Sequence, residues 1–446
     1  MTRTLKTRLL RNADRTSIPE RLPEAIRLEL MGELFLSGNT RTYSPHSDVI
    51  EGLADRYNIH LSPVLPFPDL RRFWLPEEAI RRISVSDAEP PVGPLWVHPD
   101  TFRKTNLKNR SVLDLHSSEP LDFFPLASQR AVLFHDGRDW RRVKLHLCDV
   151  KISRYYRNLG GMTLFHSVQV SRELKEHWLA IREACQEGCR IQPGFYLDEA
   201  GVVLKNEKDP DISRVGEWGS LERSLTPIGL PPDLIPMPLF SFYGESTVSG
   251  SDAIRPLAVE LCEQAGGDPE SFLFDTFMAP VIRLWTAIFK TTGIIWEPHG
   301  QNVVMLCNPI TLMPEGGAFR DPDTALSKTM RDGLGLSSEA FFDRNLHGDE
   351  SSLEMPEGAR SETSRVIDIS MGRNTFDYLA RLFEQQFGVA PAALQARCRE
   401  LFARQLPEST RWFPRAVYGY ARNPLAEDRN CYPLVVREGM DPAWRP

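Results

Sequence analysis

The sequence predicts an α+β fold, rich in short strands in its first half and mainly helical in its second. Three observations carry this expectation. At 132–148, VLFH, the turn DGRD and RVKLHLC follow one another as a β-hairpin. From Ser251 onward the apolar residues recur at helical spacing. Between these regions, 207–238 is broken by prolines and reads as a long connection or lid.

Taken in order, Arg3, Lys6, Arg8, Arg11 and Arg15 face Asp14 alone in the first eighteen residues, which reads as a basic first helix. This stretch lacks the apolar core of a secretory signal. Residues 19–36 form a second helix, with Pro19 in its first turn. The Pro- and acid-rich stretch 84–95 reads as a linker. In the second hairpin strand Val143, Leu145 and Leu147 share one face, and Lys144, His146 and Cys148 share the other. A helix over 153–158 would put Ser153 and Arg157 one turn apart on one face. Asp268 and Pro269 read as N-cap and first-turn proline of a helix reaching about Thr292, kinked at Pro280. GIIWE (293–297) and NVVML (302–306) read as two strands joined by the tight turn PHGQ. Residues 374–387 and 391–405 have the pattern of amphipathic helices.

The chain has 446 residues, 41% hydrophobic and 25% charged, and a formal charge of -7. That balance argues against a general nucleic-acid binder, which carries a basic domain or stripe. No apolar run approaches the ~20 residues of a membrane span, so no membrane is expected. The seven cysteines are sparse and odd in number. Cys185 and Cys189 fit helix spacing better than a metal site, since no second ligand pair lies nearby. A reducing, cytoplasmic location fits such usage.

Two patches concentrate chemistry. Between Ser128 and Arg157 lie Arg130, Arg138, Arg141, Arg142, Lys144, Lys151, Arg154 and Arg157 against Asp136, Asp139 and Asp149, a local charge of +5. Cations and hydroxyls on a rigid hairpin suit polyphosphate, because arginine forks match phosphate oxygens and lysine supplies a point charge. The second patch is Trp296-Glu297-Pro298-His299-Gly300-Gln301-Asn302, followed by Phe319-Arg320-Asp321-Pro322-Asp323. Glu297, Asn302 and Asp321 offer the oxygen ligands that Mg²⁺ takes. A solvated charged face and a polar hairpin turn are the plain structural alternatives.

The series His98-Pro99, PLASQR (125–130), KLHLCDVKISRYYR (144–157), GIIWEPHGQN (293–302) and RDPD (320–323) resembles, in order, the motifs of the IucA/IucC family, the NRPS-independent siderophore (NIS) synthetases. The resemblance implies a hand-like synthetase with a β-rich fingers domain and a largely helical palm, and an ATP cleft between them. The corresponding division is 1–90 as a shortened, thumb-like region, 91–240 as fingers and 241–446 as palm. It implies adenylation of a citrate-like, other polycarboxylic or amino acid, then condensation with an amine or hydroxyl to an amide or ester. Siderophore or related natural-product biosynthesis is the setting. ATP and Mg²⁺ are the implied cofactors, and a homodimer is compatible with the family. Carried over, Ser128, Arg130, Lys144, Ser153 and Arg157 contact ATP phosphates and the carboxylate. His299, Gln301 and Asn302 become nucleotide contacts, and Asp321 and Asp323 the acidic end of the Mg-ATP site. Arg130, Lys144, Arg157 and His299 are the expected catalytic residues.

The sequence departs from the family pattern at several points. The chain is shorter than typical members, the early G-H-P-x-H-P element is absent, and Asp100-Thr101 follows the V-H-P element in place of Trp-Gln. Ala131 stands where a Thr follows the arginine, and RDPD lacks a glycine after the acid. The ATP side therefore matches better than the acceptor side. Two other readings stay open: a kinase-like phosphotransferase, although the HGQN turn has no Asp to serve as base, and a degenerate nucleotide-binding homologue without turnover.

Overall fold

The computed structural model describes residues 4–36 (without 17), 67–85, 93–104, 121–147 (without 127 and 129), 151–152, 155–156, 158–186, 190–205, 218–248 (without 247), 254–348, 361–408, 412–413, 417–420, 434–437 and 441–446. An antiparallel sheet of eight strands forms one wall of the molecule. In chain order, β1 (Phe67–Phe73), β2 (Ile80–Ser84), β3 (Leu95–Val97), β4 (Leu121–Pro125), β5 (Ala131–His135) and β6 (Trp140–Leu145) belong to it. A small ribbon of β7 (Lys151–Ile152) and β8 (Tyr155–Tyr156) follows. After β9 (Gln192–Phe195), which lies elsewhere, β10 (Asp198–Leu204) and β11 (Gly219–Arg223) complete the large sheet.

The strand order is β2-β10-β11-β6-β5-β4-β1-β3. The far edge strand β3 returns over β11, where the Trp96 amide donates to Ser220 Oγ at 3.0 Å. The sheet is therefore curled rather than flat, as its right-handed twist favours. Strands β1 and β2 precede residue 90, so this sheet draws on the chain from both sides of that point.

The predicted hairpin is present as β5–β6, with Ala131 opposite Lys144 and His135 opposite Trp140. Asp136 Oδ1 accepts from the amides of Arg138 and Asp139, both at 2.9 Å, which closes the turn. Two expectations in this region are corrected. Residues 155–156 are strand, not helix, because they pair with Lys151 and Ile152. The segment 207–238 is no unbroken connection: Ser220 to Arg223 pair with Leu145 to Arg142, and Ile235–Pro238 forms β12. Pro236 and Pro238 are tolerated because β12 is an edge strand among the described residues, paired with β14 on one side.

Among the helices, α1 (Leu5–Asp14) is capped by Thr4, and α2 (Glu24–Phe35) starts after Pro23 rather than near Pro19. The fixed φ of Pro23 suits the entry to the first turn. Every residue of α2 from Leu28 to Phe35 is buried. Leu30, Met31, Leu34 and Phe35 join the core of the large sheet with Trp96, Phe134 and Val143, while Leu28 joins the core of the helical half. This helix is thus wedged between the two halves. Helix α3 (Gly161–Glu176) lays Leu164 over Gly201 and Gly219 of the sheet, where a Cβ would stand 2.1 and 2.8 Å from its side chain.

The second half is mainly helical, as predicted. Asp268 caps a helical turn, its carboxylate accepting from the Ser271 amide at 2.8 Å. The expected single kinked helix is three pieces: Pro269–Leu273, a π turn Phe274–Met278, and α4 (Ala279–Thr292). The π turn accommodates Pro280, whose ring would collide with an i−4 carbonyl in an unbroken α-helix. Pro269–Thr292 is long and apolar enough to cross a membrane, and 78% of its most apolar window is buried inside the fold. Gly293 caps α4 at φ 72°. Helices α5 (Asp377–Phe387) and α6 (Pro391–Gln405) lie where the periodicity places them, α5 preceded by a π-helical stretch, Val366–Phe376. Cys185, Cys262, Cys307 and Cys398 are buried.

The strands around the PHGQ turn are not a hairpin. Strand β13 (Ile294–Ile295) pairs with β16 (Ala325–Ser327). Strand β14 (Val303–Cys307) pairs with β12 and with β15 (Pro314–Phe319), and β9 runs parallel to β15. The turn therefore crosses between two sheets.

Candidate active site

A cavity of about 160 Å³ opens between the large sheet and the crossing turn. From the sheet side come Ser128, Arg130, Arg142, Lys144 and Arg223, and from the helical half Glu297, His299, Gln301, Asn302, Arg320, Asp321 and Asp323. Every described site residue expected from the sequence lines this space. Ser153 and Arg157 lie outside the described residues.

On the sheet, Lys144 and Arg142 alternate with Val143 and so face the cavity together. The Ser128 hydroxyl accepts from the Ala131 amide at 3.0 Å, fixing the loop that enters β5. Arg130 donates to the Asn158 carbonyl at 3.2 Å. Across the cleft, the 297–302 turn holds itself. The Asn302 side-chain amide donates to the Glu297 carbonyl at 3.2 Å, and the Asn302 backbone amide to the His299 carbonyl at 2.8 Å. The Gln301 amide donates to His299 Nδ1 at 3.3 Å, which leaves Nε2 as the donor nitrogen of a neutral ring. Gly300 is required by space: a Cβ there would stand 2.1 Å from the Tyr243 hydroxyl. Arg320 pins the turn from beneath, its Nε donating to the Gln301 carbonyl at 2.7 Å.

Ion pairs tie the walls together. Lys144 Nζ and Arg223 both bind Asp321 Oδ1, Arg223 at 3.3 Å. Burial would raise the Asp321 carboxyl, yet Lys144, Arg223 and Arg130 hold it far below the usual carboxylate range. Burial, the largest influence, pushes the Lys144 ammonium down; Asp321 opposes this, while Arg130 and Arg223 add to it. Asp321 also has φ 70°, a left-handed conformation uncommon for a residue with a Cβ. Glu297 pairs with Arg365 at 2.7 Å.

The structure adds partners with no local sequence signal. Arg223 is clamped by the fully buried Asp198, at 2.6 Å to Nε and 3.2 Å to a terminal nitrogen. Arg142 pairs with Glu29, and Arg320 with Glu33, both on α2. These carboxylates come from distant chain segments, and a lone acid in a helical pattern reads as solvated. The nearest hint is the charged pair Glu222-Arg223 inside an otherwise strand-like run.

No described cluster of three or more His, Cys, Asp or Glu side chains is arranged to hold a metal. Glu297 and Asp321 already face cations, so the donor set does not make a free-standing metal centre. It does fit an ion that arrives with phosphates, which needs only one or two carboxylate oxygens from the protein.

No protein-family sequence model and no curated protein matches the chain. Solved structures do. The petrobactin biosynthesis protein AsbB from Bacillus anthracis str. Sterne aligns with a TM-score of 0.63 at 13% identity, over 94% of this chain and 76% of that one. ATP-bound aerobactin synthetase IucA from a hypervirulent pathotype of Klebsiella pneumoniae aligns with a TM-score of 0.60 at 15% identity, over 90% and 75%. Aerobactin synthetase IucC from the same source gives 0.59 at 16%, over 90% and 72%. The chain has the fold of these NIS synthetases, the family that its motif series resembles.

Proposed function

We propose that the protein is an ATP-dependent synthetase. It adenylates a carboxylic acid and condenses the product with an amine or hydroxyl to give an amide or ester. The observation that carries this reading is the convergence of Ser128, Arg130, Lys144, His299, Asn302 and Asp321 on one cavity, in a fold shared with siderophore synthetases. The thumb, fingers and palm divisions 1–90, 91–240 and 241–446 belong to the same proposal.

In the first step a carboxylate oxygen attacks the α-phosphorus of ATP, the bond to the β-phosphate oxygen breaks, and pyrophosphate leaves. Anions meet in that step, so the reaction depends on positioned cations. Arg130 and Lys144 face the phosphates from the sheet, and His299 Nε2–H donates from the opposite wall. Mg²⁺ would be held by Asp321 with Asp323, Glu297 or the Asn302 amide oxygen, and would supply charge neutralisation of the phosphates. In the second step the nucleophile attacks the acyl carbon, the acyl–oxygen bond breaks, and AMP departs. The nucleophile's proton passes to solvent or to AMP.

Product analysis tests the reading. AMP and pyrophosphate in equal amounts support it, and ADP or no turnover contradicts it.

A further inference from the structure

Arg223 is a cation of the cavity that neither the motif series nor the fold likeness assigns. Arg223 is buried and lines the space beside Lys144. Its guanidinium is gripped along one edge by Asp198, whose two oxygens take Nε and a terminal nitrogen. Asp198 is itself fully buried, and its amide donates to Ser171 Oγ on α3 at 2.9 Å. The clamp leaves Arg223 little rotational freedom and turns it toward Asp321.

Lys144 and Arg223 meet at a single oxygen, Asp321 Oδ1. Two cations converging on one carboxylate oxygen from adjacent strands make an oxyanion receptor, here filled by a protein side chain. Leu221, not Arg223, is the register partner of Lys144, so the two cations approach that oxygen diagonally across the β6–β11 pair. Arg130 adds a third positive charge to the same carboxylate.

We infer that Arg223 is a substrate-contacting residue, which with Lys144 receives an oxyanion in place of Asp321 Oδ1, and that Asp198 is its positioning residue. The ligand is a phosphate oxygen of the nucleotide or a carboxylate oxygen of the acid. Asp321 would then be free to face an ion that arrives with the nucleotide. Only the naming of these two sources rests on the synthetase reading; the receptor itself rests on geometry.

Titration calorimetry of the full chain with inorganic pyrophosphate and, separately, with citrate tests this. Arg223→Gln combined with Asp198→Asn removes both buried charges at once and so avoids the stability loss of leaving one of them without the other. We expect it to bind at least one of the two anions about ten- to a hundredfold more weakly, the range set by a charged hydrogen bond. Loss of pyrophosphate binding assigns the phosphate source, and loss of citrate binding the carboxylate source. Asp198→Asn alone should weaken the same anion less, and Arg223→Lys should restore part of the affinity. Unchanged binding of both anions by the double variant, or no binding of either by the wild-type chain, overturns the inference. Arg223-dependent binding without AMP formation would leave it standing and refute the synthetase reading. AMP formation with unchanged anion binding in the variant does the reverse.

Discussion

Glu29 and Glu33 stand one helical turn apart on α2 and reach opposite walls of the same cavity. Glu29 pairs with Arg142 on the large sheet, and Glu33 pairs with Arg320 at the end of β15. Burial pushes the Glu29 carboxyl up, and Arg142 answers it. One buried helix thereby sets the spacing of the two walls through two ion pairs.

Removing one partner of such a pair leaves an unpaired buried charge. Glu33→Ala should lower stability by about 3–5 kcal/mol, read from urea unfolding. Glu33→Gln combined with Arg320→Met should cost clearly less. An equal loss in both variants would mean that packing, not charge pairing, holds α2.

Lys144→Ala and Arg130→Ala should each lower adenylation by about a hundred- to a thousandfold, the scale of losing one donor to developing charge. The unfolding transition of Arg130→Ala should stay cooperative. Near-wild-type turnover by either variant would show that the cavity is not where the phosphates react.

Gly300→Ala places a methyl group against the Tyr243 hydroxyl, which now donates to the Asn374 carbonyl at 3.2 Å. The ring also stacks on Tyr378 and has little room to retreat. A stability loss of about 1–3 kcal/mol is expected from such overpacking, with weaker ATP binding in calorimetry. Unchanged ATP affinity would separate the turn from nucleotide recognition.

Asp136 provides a pH test of the hairpin. Burial would raise its carboxyl, but the Asp139 and Arg138 amides and the Arg141 guanidinium hold it at about 2. The folded pKa lies below the ordinary value near 3.9. The stabilisation is therefore present above about pH 4 and is lost as pH falls toward 2. The stability gap between wild type and Asp136→Ala should shrink over that window. A gap that stays constant down to pH 2 would assign the effect to something other than the charge.

What the sequence made legible was local. The β5–β6 hairpin, the Asp268 cap and the composition of the 296–302 turn each depend on residues a few positions apart. The ion pairs that position the site do not: Arg142 finds Glu29 across 113 residues and Arg320 finds Glu33 across 287. Strands 294–295 and 303–307 look like a hairpin because the turn between them is short. Their hydrogen bonds go to different sheets, and strand patterning carries no partner information. The π turn before Pro280 was hidden for a similar reason, since apolar spacing alone does not register one extra residue per turn.

The central claim is that this cavity activates a carboxylate with ATP. Its most direct test is hydroxamate formation with ATP, Mg²⁺ and hydroxylamine, offering citrate, 2-oxoglutarate, glutamate and aspartate in turn to the wild-type chain and to Lys144→Ala. The account predicts hydroxamate and equimolar pyrophosphate with at least one acid for the wild type, and loss of both in the variant. Absence of pyrophosphate with every acid, or equal yields from both proteins, would contradict it.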